Sequence, residues 1–208
     1  FLFASPLVER DEAFVQWARP AFAAGAPVLQ AARALMERIH SELRYDSAST
    51  EVSTPPLQAL AQGRGVCQDF AHIMIGCLRS QGLPAPHGAD ASHAWAAVYV
   101  PREDGGDGEW FDFDPTNNRC GWGSPGEDYV TLAIGRDFSD VSPMRGVIQG
   151  GAQHTLDVAV TVAPPDELEG RDLNAHTGEA RRHRTAALTP PATRGPAVAL
   201  VDTRPGDL

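Results

Sequence analysis

Between residues 28 and 115 the spacing of apolar side chains changes period, and the order of that change limits the folds open to this chain. Val28, Ala32, Leu35, Met36, Ile39 and Leu43 recur at helical intervals, with Arg33, Glu37 and Arg38 off the stripe and Pro27 suited to the first turn. Phe70, Ile73, Met74, Cys77 and Leu78 repeat the pattern over 67–80, and Gly82 followed by Pro84 stops it. The period then falls to two. "SHAWAAVYV" (92–100) and "EWFDFDP" (109–115) read as strands joined by the turn-rich "PREDGGDG", and "DYVTLAIG" (128–135) and "HTLDVAVTV" (154–162) as two more. Helices first and antiparallel strands second define an α+β domain.

Shorter elements fill in the first half. "ERDEAFVQWA" predicts a helix ending near Arg19-Pro20, and "STPPLQALAQGRG" a helix opening at Pro55, capped by Ser53 or Thr54 and stopped by Gly63 and Gly65. The domain is expected to occupy 1–163. Residues 164–208 hold no aromatic residue and no cysteine, and such a stretch buries too little apolar surface to offset its ordering entropy. That tail is expected to be disordered, with "PAVALV" as the one segment suited to a strand.

A net charge of −10 argues against a nucleic-acid backbone or an anionic membrane as partner. No apolar run approaches the ~20 residues that span a bilayer, and no leader pattern opens the chain. Three cysteines are not a disulfide framework; an odd, sparse set suits a reducing compartment, and a cytoplasmic location is expected. All 17 basic residues are arginine.

The chemistry concentrates in "GVCQDFAH" (65–72). Cys67 follows a glycine-bearing turn at the start of a helix, before the apolar stripe begins at Phe70. A thiol there faces unpaired backbone N–H groups and the positive end of the helix dipole, which favour the reactive thiolate. The plainer alternative, a small core residue, fits Cys77 on the stripe better; Cys120 in "RCGWGSPG" reads as a loop residue. Metal binding fails on geometry: Cys67, His72 and Cys77 lie five residues apart, so neighbours point roughly 140° apart around the helix and cannot converge. His72 then packs or caps, and His40, His87, His154, His176 and His183 default to the surface. No metal and no cofactor is expected.

A nucleophilic cysteine needs a base, and the base an orienting group. In "SHAWAAVYV" alternation puts His93, Trp95, Ala97 and Tyr99 on one face and Ala94, Ala96, Val98 and Val100 on a core face. In "EWFDFDP" Trp110, Asp112 and Asp114 share a face. Pairing the strands so that His93 lies opposite Asp114 centres the turn between Glu103 and Asp104, places Trp95 opposite Asp112 and Ala97 opposite Trp110, and sets an imidazole beside a carboxylate. Read alone, Asp112 and Asp114 are equally solvated carboxylates before a "DPTN" turn.

With "GRGVCQDFAH" at 63–72, "DASHAWAAVYVP" at 90–101 and "WFDFDPTN" at 110–117, the chain resembles the transglutaminase-like superfamily, papain-related thiol enzymes with a Cys-His-Asp triad. "YVTLAIGRDFSDVSPMRGVIQGG" at 129–151 resembles the bacterial members in particular. The resemblance implies a fold in which N-terminal helices, with the nucleophile at a helix N-terminus, pack on an antiparallel sheet. It implies Cys67 as nucleophile, His93 as general base and then acid, and Asp114 as the orienting carboxylate. The backbone N–H of Cys67, with Gln62 as a candidate side-chain donor, would stabilise the oxyanion; Asp69 and His72 would support the site, and Trp95 and Trp110 would wall the cleft. The implied activity is thiol-dependent acyl transfer on a peptide or protein amide, by hydrolysis or by transglutaminase-type transfer. A non-catalytic binding domain that retains the fold, or another triad acyltransferase, is the alternative. Members of the bacterial group carry a β-rich N-terminal domain, so a chain beginning "FLFASPLVER" is expected to be a piece of a longer protein.

Overall fold

The structure, a computed structural model, describes residues 1–90, 93–102 and 104–142, together with the backbone of two strands at 156–163 and 198–205. Helix α1 (Glu12–Ala18) starts where the Asp11 carboxylate accepts from the Ala13 N–H at 2.7 Å, and a short 3₁₀ turn at Arg19–Ala21 follows it. Helix α2 (Val28–Glu42) buries Ala31, Ala32, Leu35, Met36 and Ile39, the stripe read from spacing. Strand β1 (Arg44–Tyr45) leads to helix α3 (Pro56–Gln62), which ends at Gly63 with a left-handed φ of 65°. Neither Ser53 nor Thr54 caps α3; Pro55 holds the cap position and the Thr54 hydroxyl instead accepts from the Glu51 N–H at 2.9 Å. Strand β2 (Arg64–Gly65) pairs in parallel with β1 and delivers the chain into helix α4 (Cys67–Ser80).

Strands β3 (His87–Ala89), β4 (Ala94–Val100), β5 (Glu109–Asp114), β6 (Arg119–Trp122) and β7 (Ala133–Gly135) form a five-stranded antiparallel sheet ordered β6-β5-β4-β3-β7. Helix α5 (Phe138–Val141) follows β7. Strands β8 (Leu156–Ala163) and β9 (Val198–Pro205) pair antiparallel as a separate two-stranded ribbon, so a strand does occupy part of 164–208; the rest of that segment, with His154, His176 and His183, lies outside the described residues.

Helix α4 is the centre of this architecture. It packs on β4 through one side and on α1, α2 and α3 through the others, and every residue from Gln68 to Arg79 is buried. Helix α1 comes close because Gly76 leaves room: a Cβ there would lie 2.8 Å from the Phe14 ring. Phe14, Leu35, Ile39, Ile73, Ile75, Leu78, Val98 and Phe113 are wholly buried in one cluster, each contributing about 1.5–3 kcal/mol of burial free energy. At the far end of α4, the buried Arg79 guanidinium donates to the carbonyls of Phe1, Ala85 and Arg136 and to the Ser5 hydroxyl, tying the N-terminal segment and the α5 approach to the helix.

Three further expectations are corrected. Cys120 lies on β6, not in a loop, where it pairs with Phe113. Only Ala133–Gly135 of the segment 128–135 is strand, because the Tyr129 N–H closes a turn onto the Gly126 carbonyl before β7 begins. His87 is not at the surface: it is 0% exposed on β3, between Ala96 and Gly135 of its neighbours.

Candidate active site

The site forms where the N-terminus of α4 meets β4 and β5. Cys67 is the first residue of α4 and is half-buried, with its sulfur free of any disulfide. The turn before it is fixed by Asp69, whose carboxylate accepts from the Val66 N–H at 2.8 Å and from the Thr50 hydroxyl at 2.5 Å. Burial pushes the Asp69 carboxyl up, against those two bonds. Gly65 is required there, since a Cβ would lie 2.7 Å from Asp69 Oδ2. Gln68 donates to the Val52 carbonyl at 3.0 Å, which holds the loop before α3 over the helix start.

His93 stands just before β4, its backbone N–H donated to Asp90 Oδ1 at 2.6 Å. Its ring hydrogen-bonds Asp114, and the Cys67 sulfur is near enough to act on its titration. Nε2 lies 2.7 Å from Asp114 Oδ2. Burial draws the His93 pKa down, but the bond to Asp114 and the influence of the Asp114 and Cys67 side chains outweigh it and raise the imidazole to about 10.

Asp114, at the end of β5, is 0% exposed. Oδ1 accepts from the backbone N–H groups of Thr116 at 2.9 Å and Asn117 at 3.2 Å, the Asx turn that "DPTN" encodes. Oδ2 accepts from His93, from Asn117 Nδ2 at 2.8 Å and from the Tyr129 hydroxyl at 2.5 Å. Burial works to raise its pKa, and these donors, His93 foremost, reverse that and hold it below the usual carboxylate range. Asp112 shows the contrast. It is buried with a bond from Trp95 Nε1 at 3.0 Å, and burial pushes it up to about 6.

The residues singled out as Cys67, His93 and Asp114 thus come together, although the strand register differs from the one expected. Ala97 lies opposite Asp112, not Trp110, an offset of two residues that shifts the turn centre to Asp104–Gly105. Gly105 takes the left-handed φ of 76° that the turn needs. Because the offset is even, every side chain keeps its face.

Other residues fall as follows. Cys77 is fully buried and burial pushes its thiol up to about 12, which makes it inert. Gln62 is exposed and lines a cavity of about 430 Å³ with Arg44, Gly63 and Arg64. Trp95 is buried with its indole over Gly88, whereas Trp110 is half-buried against Phe1 and Tyr99. Tyr45 is exposed beside Cys67; burial and the field of the sulfur raise its phenol. His72 packs beneath the site with ring centroids 5.2 Å from His87 and accepts from the Phe138 N–H at 3.1 Å. Sequence reasoning missed Asn117, Tyr129 and Asp90. The Asx turn was a usable signal for the first; Tyr129 arrives through an irregular loop that has no local signature. Among the described residues no three His, Cys, Asp or Glu side chains converge to hold a metal, and no helix is long and apolar enough to cross a membrane.

A thiol at a helix N-terminus, an imidazole on the adjoining strand and a buried carboxylate beyond it define the papain-like arrangement of thiol enzymes. Residues 15–115, from α1 to just past Asp114, match the model of the transglutaminase-like superfamily, and the domain described here belongs to that superfamily. Uncharacterised proteins of Mycobacterium tuberculosis and Mycobacterium bovis are each 36% identical over 185 residues, covering 80% of this chain and 56% of theirs. One of Mycobacterium leprae is 36% identical over 138 residues, covering 59% of this chain and 46% of its own. The chain therefore spans about half the length of the curated relatives it matches. A Cytophaga hutchinsonii protein provisionally assigned as a cysteine protease is structurally similar, with a TM-score of 0.53 and 27% identity over 68% of this chain and 47% of that one.

Proposed function

We infer that this domain catalyses thiol-dependent acyl transfer on peptide or protein amides, with Cys67 as nucleophile, His93 as proton carrier and Asp114 as the group that orients the ring. The observation that carries this reading is the single His93 ring, hydrogen-bonded to a buried carboxylate and acted on by the half-buried Cys67 thiol at the start of α4. In the first step the Cys67 thiolate adds to the amide carbonyl. The oxyanion is held by backbone N–H groups at the start of α4, that of Cys67 among them. As the tetrahedral species collapses, the C–N bond breaks and His93 gives its proton to the leaving amine, so that an acyl-thioester remains on Cys67. His93, now neutral, takes a proton from the incoming water or amine as that group attacks the thioester. The acid or new amide leaves and the thiolate–imidazolium pair is restored.

The likeness to a protein provisionally assigned as a cysteine protease favours hydrolysis. The chain contains no lysine, so a transfer reaction would draw its amine acceptor from another molecule. The test is intact-mass analysis of the protein after incubation with a panel of peptides and simple amides. A mass increase equal to the acyl fragment, absent in Cys67→Ala, supports the reading and reports the substrate class. No adduct across amides, esters and thioesters, together with iodoacetamide labelling of Cys67 no faster than that of Cys120, would leave a binding domain as the better description.

A further inference from the structure

The carboxylate that faces His93 is shared. Three donors converge on Asp114 Oδ2: His93 Nε2 at 2.7 Å, Asn117 Nδ2 at 2.8 Å and the Tyr129 hydroxyl at 2.5 Å. Asn117 Nδ2 also sits 3.3 Å from the Tyr129 oxygen and 3.3 Å from His93 Nε2, so the four groups form one closed cluster. Orientation of the ring needs one bond. The other two donors have a separate consequence, because a carboxylate oxygen that is already bonded by neutral donors is a weaker acceptor for the imidazolium.

Tyr129 is brought to this place by a dedicated strap, the segment 123–132 between β6 and β7. Its turn closes from the Tyr129 N–H to the Gly126 carbonyl, and it rejoins the sheet where the Leu132 N–H meets the Ala89 carbonyl. Arg119 on β6 pins it twice, pairing with Asp128 at 2.8 Å and laying its guanidinium 5.1 Å from the Tyr129 ring centroid. Gly126 is needed for this approach, since a Cβ would fall 2.4 Å from the Arg119 guanidinium. The ring packs edge-on to Trp95 at 5.5 Å and against His93 at 5.9 Å, closing the far side of the His93–Asp114 pair. A cation over the ring makes the phenol a better hydrogen-bond donor, which strengthens its hold on Oδ2.

We propose that Tyr129 and Asn117 are positioning residues of the acyl-transfer site: by sharing Oδ2 of Asp114 with His93, they let the carboxylate aim the ring without binding its proton too firmly to be released to a leaving amine. This rests on the reading of His93 as proton carrier. Among the described residues, the charged and titratable groups that face His93 are Cys67 from α4, Asp114 from β5, Tyr129 from the strap, Asp90, whose carboxylate accepts from the His93 backbone N–H, and, through the sheet, His87 from β3. Tyr129 and Asn117 alone among the cluster donate to the carboxylate without carrying charge themselves.

The experiment is a titration of the His93 ring by NMR in the full chain, followed across the neutral and alkaline range and assigned by its loss in His93→Gln. Tyr129→Phe keeps the packing against Trp95, His93 and Arg119 and removes only the hydroxyl. Asn117→Ala keeps the backbone turn and removes only the amide. Each is expected to raise the His93 midpoint by about one unit, the size of one lost hydrogen bond to a charged group. In parallel, acylation of Cys67 by an amide is expected to slow by about threefold to tenfold. Acylation by an activated thioester, whose leaving group needs no proton, should barely change. A role confined to holding the strap in place would lower thermal stability and leave the midpoint where it is. A midpoint unchanged or lowered in both variants overturns the proposal, and if Tyr129→Phe does not fold, Asn117→Ala decides it alone. Should no amide, ester or thioester acylate Cys67, the functional reading fails on that ground while the His93 midpoint still judges the sharing of Oδ2.

Discussion

His93 and Asp114 hydrogen-bond at 2.7 Å although they stand diagonal to each other across the β4–β5 hairpin. A strictly opposed pair would have its distance set by strand spacing. A diagonal one is set by side-chain reach, and here Asp114 is held in place by two backbone N–H groups on its other oxygen. Replacing it with asparagine keeps an acceptor for the turn but aims an amide donor, or a weaker neutral acceptor, at the ring. Asp114→Asn is expected to slow acylation of Cys67 by an amide by at least about 10²-fold. Stopped-flow or quenched mass measurements of adduct formation would show it, and a loss of less than threefold would contradict the orienting role.

The same pair governs alkaline stability. The His93 pKa is raised in the folded protein from its free value of 6.5 to about 10. A proton bound more tightly when folded stabilises the fold fully below 6.5, and that contribution disappears as pH climbs through about 10. Urea midpoints should therefore fall between those limits in the wild type. In His93→Gln that decline should flatten, and an unchanged slope would count against the raised pKa.

Acid stability has a different origin. His72 and His87 are buried ring against ring, and burial lowers them to about 4 and about 3, while among the described residues neither nitrogen of His87 has a hydrogen-bond partner. The unfolded chain binds protons at these residues near 6.5 and the folded one does not, so stability is complete above 6.5 and is lost as pH drops toward 4. Each ring contributes a slope of roughly 1.4 kcal/mol per pH unit in that window. His87→Leu removes one ring and an unsatisfied polar group together. It is expected to melt higher than wild type at pH near 5 and to show about half the acid slope.

Gly65 offers a test of how the nucleophile is held. A Cβ at this position would fall 2.7 Å from Asp69 Oδ2, the carboxylate that secures the turn into α4. Gly65→Ala is expected to cost about 1–2 kcal/mol, the size of a lost helix cap. It should also lower iodoacetamide reactivity of Cys67 more than that of Cys120. Equal labelling changes at both thiols would mean that the turn does not position the sulfur.

What the sequence disclosed follows from how local each determinant is. The stripes of α2 and α4, the stop at Gly63 and the core face of β4 depend on residues a few positions apart, and they read directly. The face shared by His93, Asp112 and Asp114 was legible because alternation survives any even offset, even though the register itself was not. His87 and Cys120 were misplaced because neither sits in an apolar run: His87 is buried by neighbours on four different elements, α4, α5, β4 and β7, and Cys120 becomes strand only by pairing with Phe113. The most consequential omission, Tyr129, reaches Asp114 from 15 residues away through an irregular strap anchored by Arg119. A contact built that way leaves no periodic trace.

The helix that carries Cys67 has no side turned to water from Gln68 to Arg79. It cannot tilt or slide without dragging three helices and the sheet, and Arg79 ties its far end to the chain start and to the approach of α5. The sulfur inherits that immobility. Any retuning of which molecules this domain accepts would therefore have to come from the surrounding rim, such as the loop at Val52, the Tyr45 ring and the strap, while the attacking atom stays at a fixed address.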